Sequence, residues 1–166
     1  VSFATYADFL ARWQHLHPAE RLNGSASDRG GDLTTVLQQL RAAPIVGRIW
    51  ERDVLPLRLS RYQPEDLDAL CQNGNLVWIG SGGADPRRSR VRFLFRGEGH
   101  TYLDPLPEDL SDLAETSRAV YAFLRSEGAA FFNDLTVALD LDGPAIERAL
   151  VELVMAGLVT NDSPEA

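Results

Sequence analysis

Residues 63–96 read QPEDLDALCQNGNLVWIGSGGADPRRSRVRFLFR. Pro64 suits the first position of a helix, and Glu65 and Asp66 favour the positive end of its dipole. Leu67, Leu70 and Cys71 recur at helical spacing and turn inward. Asn73-Gly74 supplies a stop, because glycine closes a helix at little steric cost. NLVWIG then reads as a strand and SGGADPRRS as a turn-rich tip. RVRFLFR is a second strand of period two, with Val91, Phe93 and Phe95 on one face and Arg90, Arg92 and Arg96 on the other. Helix, strand, long turn, strand is the closing half of a winged helix, with the wing at about residues 75–96.

Five arginines fall on that wing, Arg87, Arg88, Arg90, Arg92 and Arg96, although the chain as a whole carries a net charge of −8. A rigid strand with alternating guanidinium groups is shaped to lie along a phosphate backbone. These five are the expected nucleic-acid-binding residues. Such contact gives affinity and salt dependence without base readout. The opposing expectation is a solvated strand face that offsets an acidic patch nearby.

Upstream, Phe3, Tyr6, Phe9, Leu10, Trp13 and Leu16 step by three and four, predicting an amphipathic helix over 2–16 that Pro18 ends. Residues 23–31, NGSASDRGG, predict a loop. A second helix is expected from about Asp32, with Leu33, Val36, Leu37 and Leu40 inward, stopping before Pro44. A short helix through Trp50 and Val54 should break at Pro56, and LRLSRY after it reads as a short strand or extended link.

Downstream, SRAVYAFLRSEG predicts a helix closed by Gly128, FFNDLTVAL a second, and a third follows the cap Asp142 with Ile146, Leu150, Leu153 and Val154 inward. Gly157 ends it, and LVTND should begin a strand. Three helices with a turn between the last two make a helix-turn-helix core. The fold class expected is α+β, mostly α, with tandem winged-helix or helix-turn-helix modules. The division expected is an N-terminal helical segment plus first winged helix over 1–103, an acidic linker over 104–114, and a second winged-helix module over 115–166. Charge follows this division: residues 1–103 sum to +2 and residues 104–166 to −10.

The 166 residues are 45% hydrophobic, enough to bury a core, and no apolar run is long enough for a membrane span. VSFATYADFLARW has no leading basic segment and does not read as a signal peptide, and Val1 in place of methionine reads as an internal piece of a longer chain. A single cysteine excludes an internal disulfide and fits a reducing, cytoplasmic setting. All 16 basic residues are arginine, which reads as genomic base composition more than mechanism. His15 and His17, two apart, point to different faces of a helix and with His100 make no metal set, so no metal site is expected. Asp134 reads as a helix-capping residue and no catalytic residue is expected. Trp13, Trp50 and Trp78 read as core, and Cys71 as inert core. The two candidate recognition helices are acidic: Glu65, Asp66, Asp68 and Gln72 on the first, Glu147, Arg148 and Glu152 on the second. Carboxylates repel phosphates, so these helices are expected to pack on protein instead of entering a groove.

WERDVLP (50–56), RYQPEDLDALCQNGNLVWIG (61–80), GAAFFNDL (128–135) and LVELVMAGLVTND (150–162), in that order, resemble the C-terminal region of Lhr-type, large helicase-related DNA helicases. The resemblance implies a parent enzyme that is ATP-dependent, translocates on single-stranded DNA and is linked to DNA repair, with ATP and magnesium bound in motor domains far upstream. It also implies similarity to tandem winged-helix DNA glycosylases, whose catalytic aspartate is carried to no residue here. No phosphate-binding GxxxxGK[ST] loop is present, so no cofactor is expected in this segment. The expected partners are DNA, single-stranded or by backbone contact alone, and other domains of the parent. The alternative is a structural spacer or oligomerisation module that docks on those domains; a part of a glycosylase-like unit ranks below it.

Overall fold

The computed structural model describes residues 1–25, 28–82, 89–107 and 109–163. Helix α1 (Phe3–Trp13) leads through a 3-10 turn (Pro18–Glu20) to α2 (Arg29–Gln39), β1 (Ile45–Val46), α3 (Gly47–Ile49), a π-helical turn (Trp50–Val54) and α4 (Leu55–Arg58). Then come α5 (Pro64–Gln72), β2 (Leu76–Ser81), β3 (Arg90–Phe95) and α6 (Gly99–Tyr102), followed by α7 (Glu115–Glu127), α8 (Phe132–Leu139) and α9 (Gly143–Met155). The protein is therefore α+β and mostly helical.

The three strands form one antiparallel sheet in the order β1-β3-β2, with Ile45 opposite Val91 and Trp78 opposite Phe93. Strand β1 is too short to show a period in the sequence and was not expected. The break expected at Pro56 does not occur. Trp50–Val54 widens into a π turn and α4 continues through the proline. Pro56 has no N–H to donate, and the wider turn absorbs the interruption in the ladder. LRLSRY contributes no strand beyond one parallel bridge, Leu59 to Leu22.

Two hydrophobic clusters organise the chain. The first joins Leu33, Val36 and Leu37 of α2, Trp50, Leu55, Leu67 and Cys71 with Trp78 and Phe93 of the sheet. Trp50 sits at its centre, edge-on to Phe93 at 5.0 Å and 82°, with its indole N–H donating to the Val91 carbonyl at 3.0 Å. The second joins Val120 and Tyr121 of α7, Leu135 of α8 and Ile146, Ala149 and Leu153 of α9. Asp142 caps α9 by accepting from the Ala145 N–H at 2.7 Å.

The two clusters touch where the end of α9 meets β2. Thr160 donates to the Trp78 carbonyl at 2.6 Å, and the Trp78 indole donates to Asn161 at 3.0 Å. A Cβ on Gly80 would lie 2.6 Å from the Val154 carbonyl oxygen, so the two backbones meet directly. LVTND is thus not a strand. Its residues run beside the outer edge of β2, which no further strand among the described residues pairs.

Trp50 and Trp78 are core, as read from their spacing. Trp13 is not: it is 53% exposed, and no residue of α1 is buried. The amphipathic pattern of α1 is real, but of its apolar face only Leu10 is half-buried, and Phe3, Tyr6, Phe9 and Trp13 stay exposed.

Cys71 is 4% exposed, and burial, then Asp68 and Asp162, push its thiol up to about 12. A raised thiol pKa stabilises the fold fully below the ordinary thiol pKa and is lost as pH climbs from there towards about 12. At pH 8 in native buffer, alkylation of Cys71 should be about a thousandfold slower than in urea. Mass spectrometry of iodoacetamide labelling measures this, and equal rates would contradict the buried placement.

Candidate nucleic-acid interface

The wing is the β2–β3 hairpin. Arg90 lies opposite both Ser81 and Val46, and Arg92 opposite Ile79. Val91, Phe93 and Phe95 face the core side, so Arg90 and Arg92 take the other face. That face is not a continuous cationic stripe, because Leu94 on it is 2% exposed. Arg90 is exposed; Arg92 is half-buried, and its Nε is buried without a hydrogen-bond partner among the described residues. Arg87 and Arg88 lie outside the described residues.

Arg96 behaves differently from its neighbours. Its Nε donates to the Gly74 carbonyl at 2.5 Å, at the end of α5. Gly74 has φ 74, and its would-be Cβ lies 2.8 Å from Arg96 Nη2. A cation at a helix C-terminus satisfies free carbonyls. Arg96 thus fastens the wing to α5, a role the alternation of the sequence does not reveal.

The fold brings in an arginine that sequence reasoning passed over. Gly47 donates from its N–H to the Ser89 carbonyl at 3.1 Å, and its would-be Cβ is 3.3 Å from Val91 Cγ2. Arg48 is therefore exposed beside the wing although it lies some forty residues before it. The signal was weak: a lone arginine in IVGRIW, placed only by the pairing of β1 with β3. Among the described residues, Arg48, Arg90 and Arg92 have no carboxylate at ion-pairing distance, whereas Arg12, Arg29, Arg41 and Arg52 do. A groove of about 390 Å³ runs between Arg48, Glu51, Leu67 and the wing residues Val91 and Phe93. Its carboxylate, Glu51, accepts from the Tyr62 hydroxyl at 2.5 Å, and burial followed by Glu51 raises the Tyr62 pKa.

Three carboxylates of these helices are held by contacts, one of them in an ion pair. Asp66 pairs with Arg29 at 3.3 Å, and Asp68 accepts from Ser163 Oγ at 2.9 Å. Glu152 is not displayed. It accepts from Ser117 Oγ and from the Ala114 N–H at the start of α7, where a carboxylate complements the helix dipole. Glu65 and Gln72 remain exposed on α5, and Glu147 and Arg148 on α9. The partners of Asp66, Asp68 and Glu152 lie dozens of residues away, so the sequence alone could not show them.

The remaining candidates have structural partners. His15 Nδ1 lies 2.9 Å from the Glu20 carbonyl and His100 Nδ1 2.9 Å from that of Gly97. His17 Nδ1 accepts from the Ala19 N–H. Asp134 accepts from the Phe131 N–H at 3.0 Å, closing the first turn of α8.

Helix α2, strand β1, the helical stretch from α3 to α4, helix α5 and the β2–β3 wing, with β3 central, define a winged-helix domain. Residues 1–96 match the model for the winged-helix domain of the large helicase-related protein. The chain belongs to this Lhr winged-helix family. It is 34% identical over 166 residues to the Lhr helicase/probable uracil glycosylase of Mycolicibacterium smegmatis, covering 98% of this chain and 10% of that protein. It is 27% identical over 176 residues to the Lhr helicase/uracil glycosylase of Escherichia coli K12, covering 98% of this chain and 11% of that one. The chain thus spans about a tenth of the length of these relatives.

Proposed function

We propose that this segment handles nucleic acid within an Lhr-type, ATP-dependent DNA helicase of the cytoplasm linked to DNA repair, and that it contacts the phosphate backbone through its wing. ATP and magnesium belong to motor domains of such a parent, and the segment itself is non-catalytic. The observation that carries the reading is that Arg90 and Arg92 of the wing, and Arg48 of α3 beside it, have no carboxylate partners among the described residues. Unpaired guanidinium groups on a rigid hairpin suit phosphate oxygens, and single-stranded DNA offers these without the constraint of a groove. Arg87 and Arg88 join this reading by their charge alone, whereas Arg96 serves the wing's attachment.

The test is anisotropy of labelled single-stranded DNA over a salt series. For single strands, log K falls with log salt at about 0.7 per phosphate contacted. Reversing Arg48, Arg90 and Arg92 together to glutamate should weaken binding by tenfold or more and flatten the slope by roughly 2. Arg148→Glu on α9 is the control and should change little. Unchanged affinity and slope in the triple variant would remove the wing from the interface.

A further inference from the structure

Helix α1 presents Phe3, Tyr6, Phe9 and Trp13 on one face at 87%, 54%, 58% and 53% exposure. Only its C-terminal end is held. Gln39 Nε2 donates to the Trp13 carbonyl at 2.9 Å, and Arg58 Nη2 donates to Gln14 Oε1 at 3.3 Å. Arg58 is itself 7% exposed and also donates to the Val54 carbonyl at 2.9 Å. Burial lowers its pKa, and no carboxylate pairs with it among the described residues. The helix is thus tied to the winged helix at one end, with its aromatic side uncovered. An isolated helix of this length is marginal in water, so packing against something is what would stabilise it.

We infer that the aromatic face of α1 docks on an apolar surface of a neighbouring domain in the same long polypeptide. This rests on the chain's membership of its family and is independent of the phosphate-contact reading. The area argues for that occupant. Aromatic side chains bury about 150–250 Å² each when fully covered, so four at these exposures offer roughly 500 Å². Counted on both sides that is about 1,000 Å², below the ~1,600 Å² of a stable complex between separate chains and within the roughly 600–1,500 Å² of contacts between domains joined in one chain. Tethering supplies the effective concentration that so small a patch lacks. The relatives, roughly ten times longer, contain the neighbours such a contact needs. Charge argues against a nucleic-acid occupant, because Arg12, the helix's cation, is already paired with Asp8 at 2.8 Å and Glu20 at 3.3 Å.

Hydrogen exchange read by mass spectrometry tests this in the full polypeptide and in the 166-residue chain. Amides of residues 3–13 should exchange at least tenfold more slowly in the full polypeptide. Tyr6→Glu with Phe9→Glu should abolish that difference there, while leaving the thermal midpoint of the 166-residue chain unchanged, since α1 buries no residue. Equal exchange in both polypeptides would overturn the inference. So would a dimer of the 166-residue chain that the double variant dissociates, which would make a second copy the occupant. Quenching of Trp13 by single-stranded DNA, lost in the double variant, would likewise assign the face to bases instead.

Discussion

Trp50→Ala is expected to destabilise the first hydrophobic cluster by about 3–5 kcal/mol. The indole is 1% exposed, meets Phe93 edge-on and donates to the Val91 carbonyl, so one substitution removes ring volume, an aromatic contact and a tie to the central strand. A domain of this size has about 5–15 kcal/mol to lose. The loss concerns the wing as well as the core, because Val91 sits between Arg90 and Arg92. Trp50→Phe keeps most of the packing and loses the indole donor, so it should cost about 1–2 kcal/mol. Urea unfolding of both variants separates packing from hydrogen bonding. A Trp50→Ala midpoint equal to the parent's would show that Trp50 does not anchor the sheet.

Gly80→Val is the second. The strand glycine gives α9 its seat: an added Cβ meets the Val154 carbonyl oxygen at 2.6 Å, and that oxygen belongs to backbone that cannot rotate away. Overpacking of this kind costs about 1–3 kcal/mol. Relief comes by lifting the end of α9 off the sheet, which also breaks the Thr160–Trp78 and Trp78–Asn161 hydrogen bonds. A fall in midpoint of about 2–4 °C per kcal/mol is expected for a chain of this length. It should be accompanied by faster exchange at the Trp78 indole and little change at Trp50. A variant with the parent's midpoint and a protected Trp78 would place the clash elsewhere.

The parts of this fold that were legible in the sequence are those whose partners are near in the chain. Pro64, Leu67, Cys71 and Gly74 mark α5 from within itself, and the alternation of Val91, Phe93 and Phe95 marks β3. What failed depended on distant partners or on local geometry that composition does not encode. Ile45–Val46 is a strand because β3 lies beside it. LVTND has the composition of a strand, yet its contacts with β2 are made largely through side chains. Pro56 stays in a helix because Trp50–Val54 opens to a wider turn. Trp13 has the spacing of a core residue, but its helix is held to the rest of the described residues only near its C-terminal end, and the indole stays half exposed. At the candidate interface, the alternation located Arg90 and Arg92, while Arg48 required β1 to be placed, and Arg96 required the end of α5.

The family match stops at residue 96, yet the last strand of the sheet is shielded by residues beyond 150. A winged helix cut at the family limit would therefore leave β2 with carbonyls facing water along one side, an adhesive lip of the kind that recruits strands from other molecules. The length that the family model delimits and the length that keeps this sheet edge covered are thus different, and Thr160 and Asn161 belong to the second although they lie outside the first.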